Sequence, residues 1–272
     1  AGPVGLLVVG GGPAGLRAAA SAAQRGMRVR LVERSDHLGG TLALAARAPG
    51  RGELMTLVDD LVAECRVAGV ELCTGVETEQ ESGLVIRATG GIPDRPTWAV
   101  SGVHDVVDVL DGSADPRGEV LVVDGTGFHE ATSVAELLAE RGCAVEVVAA
   151  AMVVGQDLGL TLHRPMFRRR AAALGIRCTP DTVVLAATRT SAGRGAVTLL
   201  HHPTGREHTR EVDAAAAATP PRPRVGPNRI GDALAPRRVG AAIADAERLV
   251  AEIDTSAVGA PGNSTPVGLD GR

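Results

Sequence analysis

Three glycines in the spacing G-x-G-x-x-G, Gly10, Gly12 and Gly15, are followed at Glu33 by a carboxylate. This spacing suits a pyrophosphate. Gly10 permits a tight turn, Gly12 lets the backbone approach two phosphates, and Gly15 lets a helix pack closely on a strand. That helix opens at Pro13, which has no N–H of its own, and offers backbone donors from Ala14 onward and the positive end of a dipole. Glu33 stands near the interval of about 20 residues at which an acid accepts hydrogen bonds from an adenosine ribose. Arg34 follows it and completes this part of the candidate set. A carboxylate here repels a 2′-phosphate, so these residues point to an adenine dinucleotide without one.

The elements that must position them are legible around the glycines. Leu6 to Val9 is a short apolar run, Ala14 to Arg25 is alanine-rich and helical in pattern, Gly26 ends it, and Arg28 to Val32 reads as a second strand. The same order of strand, turn, helix and strand recurs from Glu119 to Ala149. The fold class expected is therefore α/β, with two Rossmann-like domains, the second inserted in the first. The expected division is residues 1–112 with 210–272 for the dinucleotide domain, and 113–209 for an inserted NAD(P)-binding-like domain. The second fingerprint is damaged. One register puts Asp124, Thr126 and His129 at the glycine positions; the other gives Gly125, Gly127 and Glu130. Either places an acid at the turn, where it would face a pyrophosphate at a cost on the order of several kcal/mol. Ala149 stands where Glu33 stands in the first domain, so NAD(P)H is disfavoured as a second cofactor.

Other segments extend the first site. Gly40 and Thr41 follow the ribose strand, Ala88, Thr89 and Gly90 follow another strand, and Gly231 with Asp232 lies near the end. With "GGTLALAARAPGRGEL", "GQDLGLTLHRP", "ATPPRP" and "IGDALAPRR", the chain resembles the C-terminal half of the trimethylamine dehydrogenase and 2,4-dienoyl-CoA reductase family. That family belongs to the flavoprotein pyridine-nucleotide oxidoreductases. The resemblance implies an FAD-dependent oxidoreductase, with ADP alone as the alternative occupant. It places Asp232 on the flavin ribityl chain and the N-terminus of a helix near Val239 to Val250 at the flavin ring. It also implies a protein partner carrying an FMN-binding, old-yellow-enzyme-type barrel, because neither a barrel nor the cysteine set of a four-iron cluster is recognisable in these residues. An oligomer is expected, as a subunit or a fragment of a larger enzyme.

Composition narrows the alternatives. Of the 272 residues, 44% are hydrophobic and 22% charged, values of a globular protein with a core. The net charge of -4 leaves no basic footprint, so nucleic acid is not an expected partner. All 28 basic residues are arginine, which removes P-loop and Schiff-base chemistries that need a lysine. Cys65, Cys73, Cys143 and Cys178 have no metal or redox spacing. No apolar run nears the roughly 18 residues of a membrane span, so no membrane is expected and cytoplasm is the expected compartment. No side chain is singled out as a catalytic acid or base. Arg164, Arg168, Arg169, Arg170 and Arg177 read as one solvated helix with Met166 and Leu174 facing inward. A hairpin is expected at Pro203 to Gly205, and a loose tail over the last fifteen or so residues.

Overall fold

The structure, a computed structural model, describes residues 5–77, 83–99, 102–191 and 193–253. The expected tail lies outside the described residues. In chain order the first elements are β1 (Leu6–Val9), α1 (Pro13–Gln24), β2 (Val29–Glu33), α2 (Gly40–Ala45), α3 (Leu54–Val67), β3 (Glu71–Thr74) and β4 (Leu84–Arg87). Next come β5 (Val103–Asp105), α4 (Val106–Asp111), β6 (Glu119–Asp124), α5 (His129–Glu140), β7 (Ala144–Ala149), α6 (Arg164–Ala173) and β8 (Arg177–Thr179). The last are β9 (Thr182–Arg189), β10 (Gly195–His201), β11 (Arg206–Val212), β12 (Ala214–Ala218) and α7 (Val239–Glu252). Among the described residues two compact units form: one from residues 5–46, 53–93 and 221–253, the other from residues 47–52 and 94–220.

The first unit is a parallel sheet in the order β3-β2-β1-β4. Its outer edge is extended by the return of the chain, where Ile230 N–H donates to the Arg87 carbonyl at 3.0 Å. Leu6, Val8, Leu31 and Ile86 are fully buried against helices. Alanine keeps α1 thin: Ala18, Ala19, Ala20 and Ala22 lose all exposure, and alanine carries the least entropic cost of helix formation. On α3 the buried Val58, Leu61, Val62 and Cys65 fall at the i, i+3, i+4, i+7 spacing of one face. Cys65 spends its thiol within this core, donating to the Leu16 carbonyl at 3.1 Å, and burial pushes it up to about 11.

The second unit is a five-stranded parallel sheet, β5-β12-β6-β7-β8, with an antiparallel sheet β11-β10-β9. Val122, Val147 and Ala216 pack with Val134, Leu138 and Phe167 of the helices. Leu121, Val148, Ala215 and Ala217 pack instead with Val184, Val197, Leu199 and Val212 of the antiparallel sheet. Burial on both faces explains why the strands read as nearly unbroken apolar runs. Glu146, a buried charge among them, is 3.3 Å from Arg177 and 3.2 Å from Arg210 and accepts from Thr179 Oγ1 at 2.7 Å.

The unit boundaries differ from the division at 112 and 210. β5 and α4 belong with the second unit because Val103 and Asp105 pair with Ala215 and Ala217, and β12 pairs in turn with β6. The arginine cluster also needs correction. On α6 it is Phe167 and Ala171 that face inward, while Met166 is 52% exposed, and Arg177 lies on β8 instead of the helix. Leu174 does pack against the core, and the hairpin turns between β10 and β11 as expected. Among the described residues no helix is long and apolar enough to cross a membrane.

Candidate functional site

The candidate site begins where β1 turns into α1. Gly10 has φ +110 and lies so close to β4's end that a Cβ there would be 2.3 Å from the Ala88 carbonyl oxygen. A Cβ on Gly15 would overlap the Gly10 oxygen at 1.9 Å. These two glycines close the turn. Gly12 does the opposite: it is extended at φ -75, and the nearest atom to a Cβ there is Gly40 Cα at 4.0 Å. The backbone at Gly12 therefore faces open space at the start of a helix that no side chain caps, with Pro13 in the first turn.

Neighbouring segments are bound to this turn. Glu33, at the end of β2, accepts from Gly11 N–H at 2.6 Å and from Ser35 N–H at 2.9 Å, one on each carboxylate oxygen. Each oxygen keeps a lone pair for a ligand hydroxyl. Gly39 N–H donates to the Gly11 carbonyl at 2.8 Å, which brings Gly40 against Gly12. Ala88 N–H donates to Val9 at 2.8 Å, and the carbonyl of Gly90 accepts from Arg224 Nε at 2.9 Å. Gly231, φ +60, is wedged in: a Cβ there would lie 2.9 Å from Ala14 Cβ and 3.4 Å from Ala242 Cβ. That wedge places Asp232 beside the first turn of α1.

Asp232 accepts from Arg237 N–H at 3.2 Å. Burial raises its carboxyl above the ordinary aspartate range, opposed by that amide and by the Arg237 charge. The Arg237 guanidinium is itself anchored on buried Asp245, which also holds Arg248 at 3.1 Å. Sequence reasoning missed Arg237 and Asp245; the i, i+3 pair of Asp245 and Arg248 on α7 was the available signal. Gly10, Gly12, Pro13, Ala14, Gly15, Glu33, Gly40, Ala88, Gly231 and Asp232 are thus brought to one turn in one unit, with Gly90 tied to Arg224 behind it. Arg34, Thr41 and Thr89 are exposed.

The turn of the second unit follows the register Gly125, Gly127 and Glu130. A Cβ on Gly125 would be 2.7 Å from the Ala218 oxygen, the counterpart of Gly10 against Ala88. Asp124, which one register places facing a pyrophosphate, is instead turned inward. It is 6% exposed and accepts from Gly127 N–H and Gly155 N–H, both at 2.8 Å. Burial raises this carboxyl and the amides oppose the rise. The reason for the correction is that Gly155, beyond β7, supplies a donor that sequence spacing does not reveal. At the end of β7 Ala149 is buried and leaves no acid in the place of Glu33.

Residues 5–109 match the model of the FAD dependent oxidoreductase family. N,N-dimethylglycine/sarcosine dehydrogenase of Chromohalobacter salexigens is 31% identical over 233 residues, covering 80% of this chain and 33% of that protein. The structure of 6-hydroxypseudooxynicotine amine oxidase from Pseudomonas geniculata N1 superposes with a TM-score of 0.83 at 25% identity, covering 92% of this chain and 42% of that one. These matches support the resemblance to the trimethylamine dehydrogenase and 2,4-dienoyl-CoA reductase family of flavoprotein oxidoreductases. The thioredoxin reductase of Lactococcus lactis shares the fold, with a TM-score of 0.65 at 17% identity over 91% of this chain and 99% of that one. The chain spans a third or less of the length of the curated relatives it matches. The FAD dependent oxidoreductase match supports FAD as the cofactor, and the open backbone at Gly12, the tethered Glu33 and the half-buried Asp232 are compatible with its pyrophosphate, ribose and ribityl groups.

Proposed function

We propose that the chain is an FAD-binding oxidoreductase module that exchanges electrons with an FMN-binding barrel or another electron carrier. One observation carries this reading: a single open position, Gly12, at an uncapped helix start, with Glu33 and Asp232 fixed around it. FAD supplies the electron transfer, and the protein supplies orientation and electrostatics. Gly12 and the amides opening α1 hold the pyrophosphate, and Gly40 with Thr41 borders it. Glu33, followed by Arg34, accepts the ribose hydroxyls. Ala88, Thr89 and Gly90 would border the bound FAD, and Asp232 would accept from the ribityl chain. The N-terminus of α7 opposes the negative charge of a reduced flavin. ADP alone would satisfy Gly12 and Glu33 but leave Asp232 without a ligand group, so Asp232 favours FAD.

Support for a partner comes from length: the relatives that match are at least three times as long as the stretch they share with this chain. The test is a single turnover. FAD bound to the purified protein is photoreduced without oxygen, then mixed with a one-electron acceptor or with an FMN-loaded old-yellow-enzyme-type barrel. The proposal expects the flavin colour to return with either. A flavin that photoreduces but is reoxidised by neither contradicts it.

A further inference from the structure

The second unit repeats the strand, turn and helix of the first, yet its turn is filled. Gly127 is the counterpart of Gly12. Its amide is taken by Asp124 Oδ1 at 2.8 Å, and its carbonyl accepts from Asp157 N–H at 2.7 Å. The second oxygen of Asp124 takes the Gly155 amide at 2.8 Å. The Gly127 and Gly155 amides therefore both lie at hydrogen-bond distance from Asp124, and a phosphoryl group cannot reach them while that carboxylate holds them. Two further carboxylates border the turn. Glu130 is held by Thr126 Oγ1 at 2.9 Å, and the Asp157 Cγ would lie 3.7 Å from a Cβ on Gly127.

From this geometry we infer that Asp124 is an internal stand-in for a phosphate and the specificity-determining residue that closes the second unit to NAD(P)H. In the first unit no carboxylate among the described residues takes the Gly12 amide, and on the proposed reading a diphosphate binds there. In the second, an anion carried by the chain has taken the donors a diphosphate needs. The consequence is functional: this chain takes no hydride from a nicotinamide at that turn, so electrons reach its flavin from another source. A turn tie alone would be replaceable without effect on anions. An internal anion, once removed, leaves the buried Gly155 amide and the part-buried Gly127 amide seeking an acceptor, which is costly until one is found.

The experiment uses protein loaded with FAD, so that the first site is full. Flavin content is read from absorbance in the same sample, so that loss of the FAD reading is recognised separately. Wild type is titrated with NADH and NADPH without oxygen, and wild type and Asp124→Ala are titrated calorimetrically with inorganic pyrophosphate. Wild type is expected to show no saturable bleaching of its flavin. Asp124→Ala is expected to bind pyrophosphate at least about tenfold more tightly, equivalent to ~1.4 kcal/mol. If that variant does not fold, Asp124→Asn keeps the shape, removes the charge and is expected to move binding in the same direction. Saturable bleaching of wild type by either nicotinamide overturns the inference. So do folded variants that bind pyrophosphate no better than wild type.

Discussion

Glu33 accepts the Gly11 amide at 2.6 Å, which ties the end of β2 to the turn before α1. The carboxylate is thereby held in place before any ligand arrives, and a preorganised group binds at lower entropic cost. Glu33→Ala is expected to weaken retention of any adenine cofactor by roughly 2 to 4 kcal/mol, the value of two charge-assisted hydrogen bonds. Dilution and ultrafiltration of the loaded protein measure it. Unchanged retention would detach Glu33 from the ribose.

Gly12→Ala and Gly15→Ala separate binding from folding. At Gly15 the new Cβ collides with the Gly10 oxygen, so the first unit should lose about 1–3 kcal/mol or more, seen in chemical denaturation. At Gly12 the backbone is of a kind alanine adopts and the nearest atom is 4.0 Å away. Gly12→Ala should therefore unfold like wild type while losing FAD, because its methyl group stands where the pyrophosphate approaches.

Asp232→Ala should release FAD and leave ADP affinity nearly unchanged, since only FAD has a ribityl chain. Retained FAD would remove Asp232 from that role. The pH dependence has a defined sign. Burial raises this carboxyl, so it takes up a proton at a higher pH than an ordinary aspartate, and a protonated acid is a weaker acceptor. FAD release on acidification should begin above the usual aspartate range, near 3.9. For folding the sign is opposite: a raised carboxyl favours the folded form below its unfolded value, and this is lost as pH rises through the raised one.

Arg237→Ala extends that test. The Arg237 charge and amide both hold the Asp232 carboxyl down, and the guanidinium is anchored on buried Asp245. Removing the side chain should shift the acid release of FAD to still higher pH while ADP affinity stays constant. An unshifted release curve would show that Arg237 does not act on Asp232.

The first site was legible because its signal is local: Gly10 to Glu33 is one strand, turn, helix and strand read consecutively. The unit boundaries were not, because they rest on pairing across sequence. Val103 pairs with Ala215 through more than a hundred intervening residues, and the five alanines of β12 carry no strand signal of their own. They form a strand because both faces of the sheet are covered and small side chains fit between the layers. The acid in the second turn was visible, but its direction was not, since the Gly155 amide that receives it is 31 positions away. Met166 was misplaced because an apolar residue next to Phe167 on a helix points about a hundred degrees away from it.

The measurement that bears most directly on the central claim is an absorption spectrum of the purified protein, followed by chromatographic identification of the nucleotide that heating releases. The account predicts flavin bands and FAD in the supernatant. A colourless protein that releases ADP would contradict it and leave the first unit a nucleotide-holding scaffold without redox chemistry.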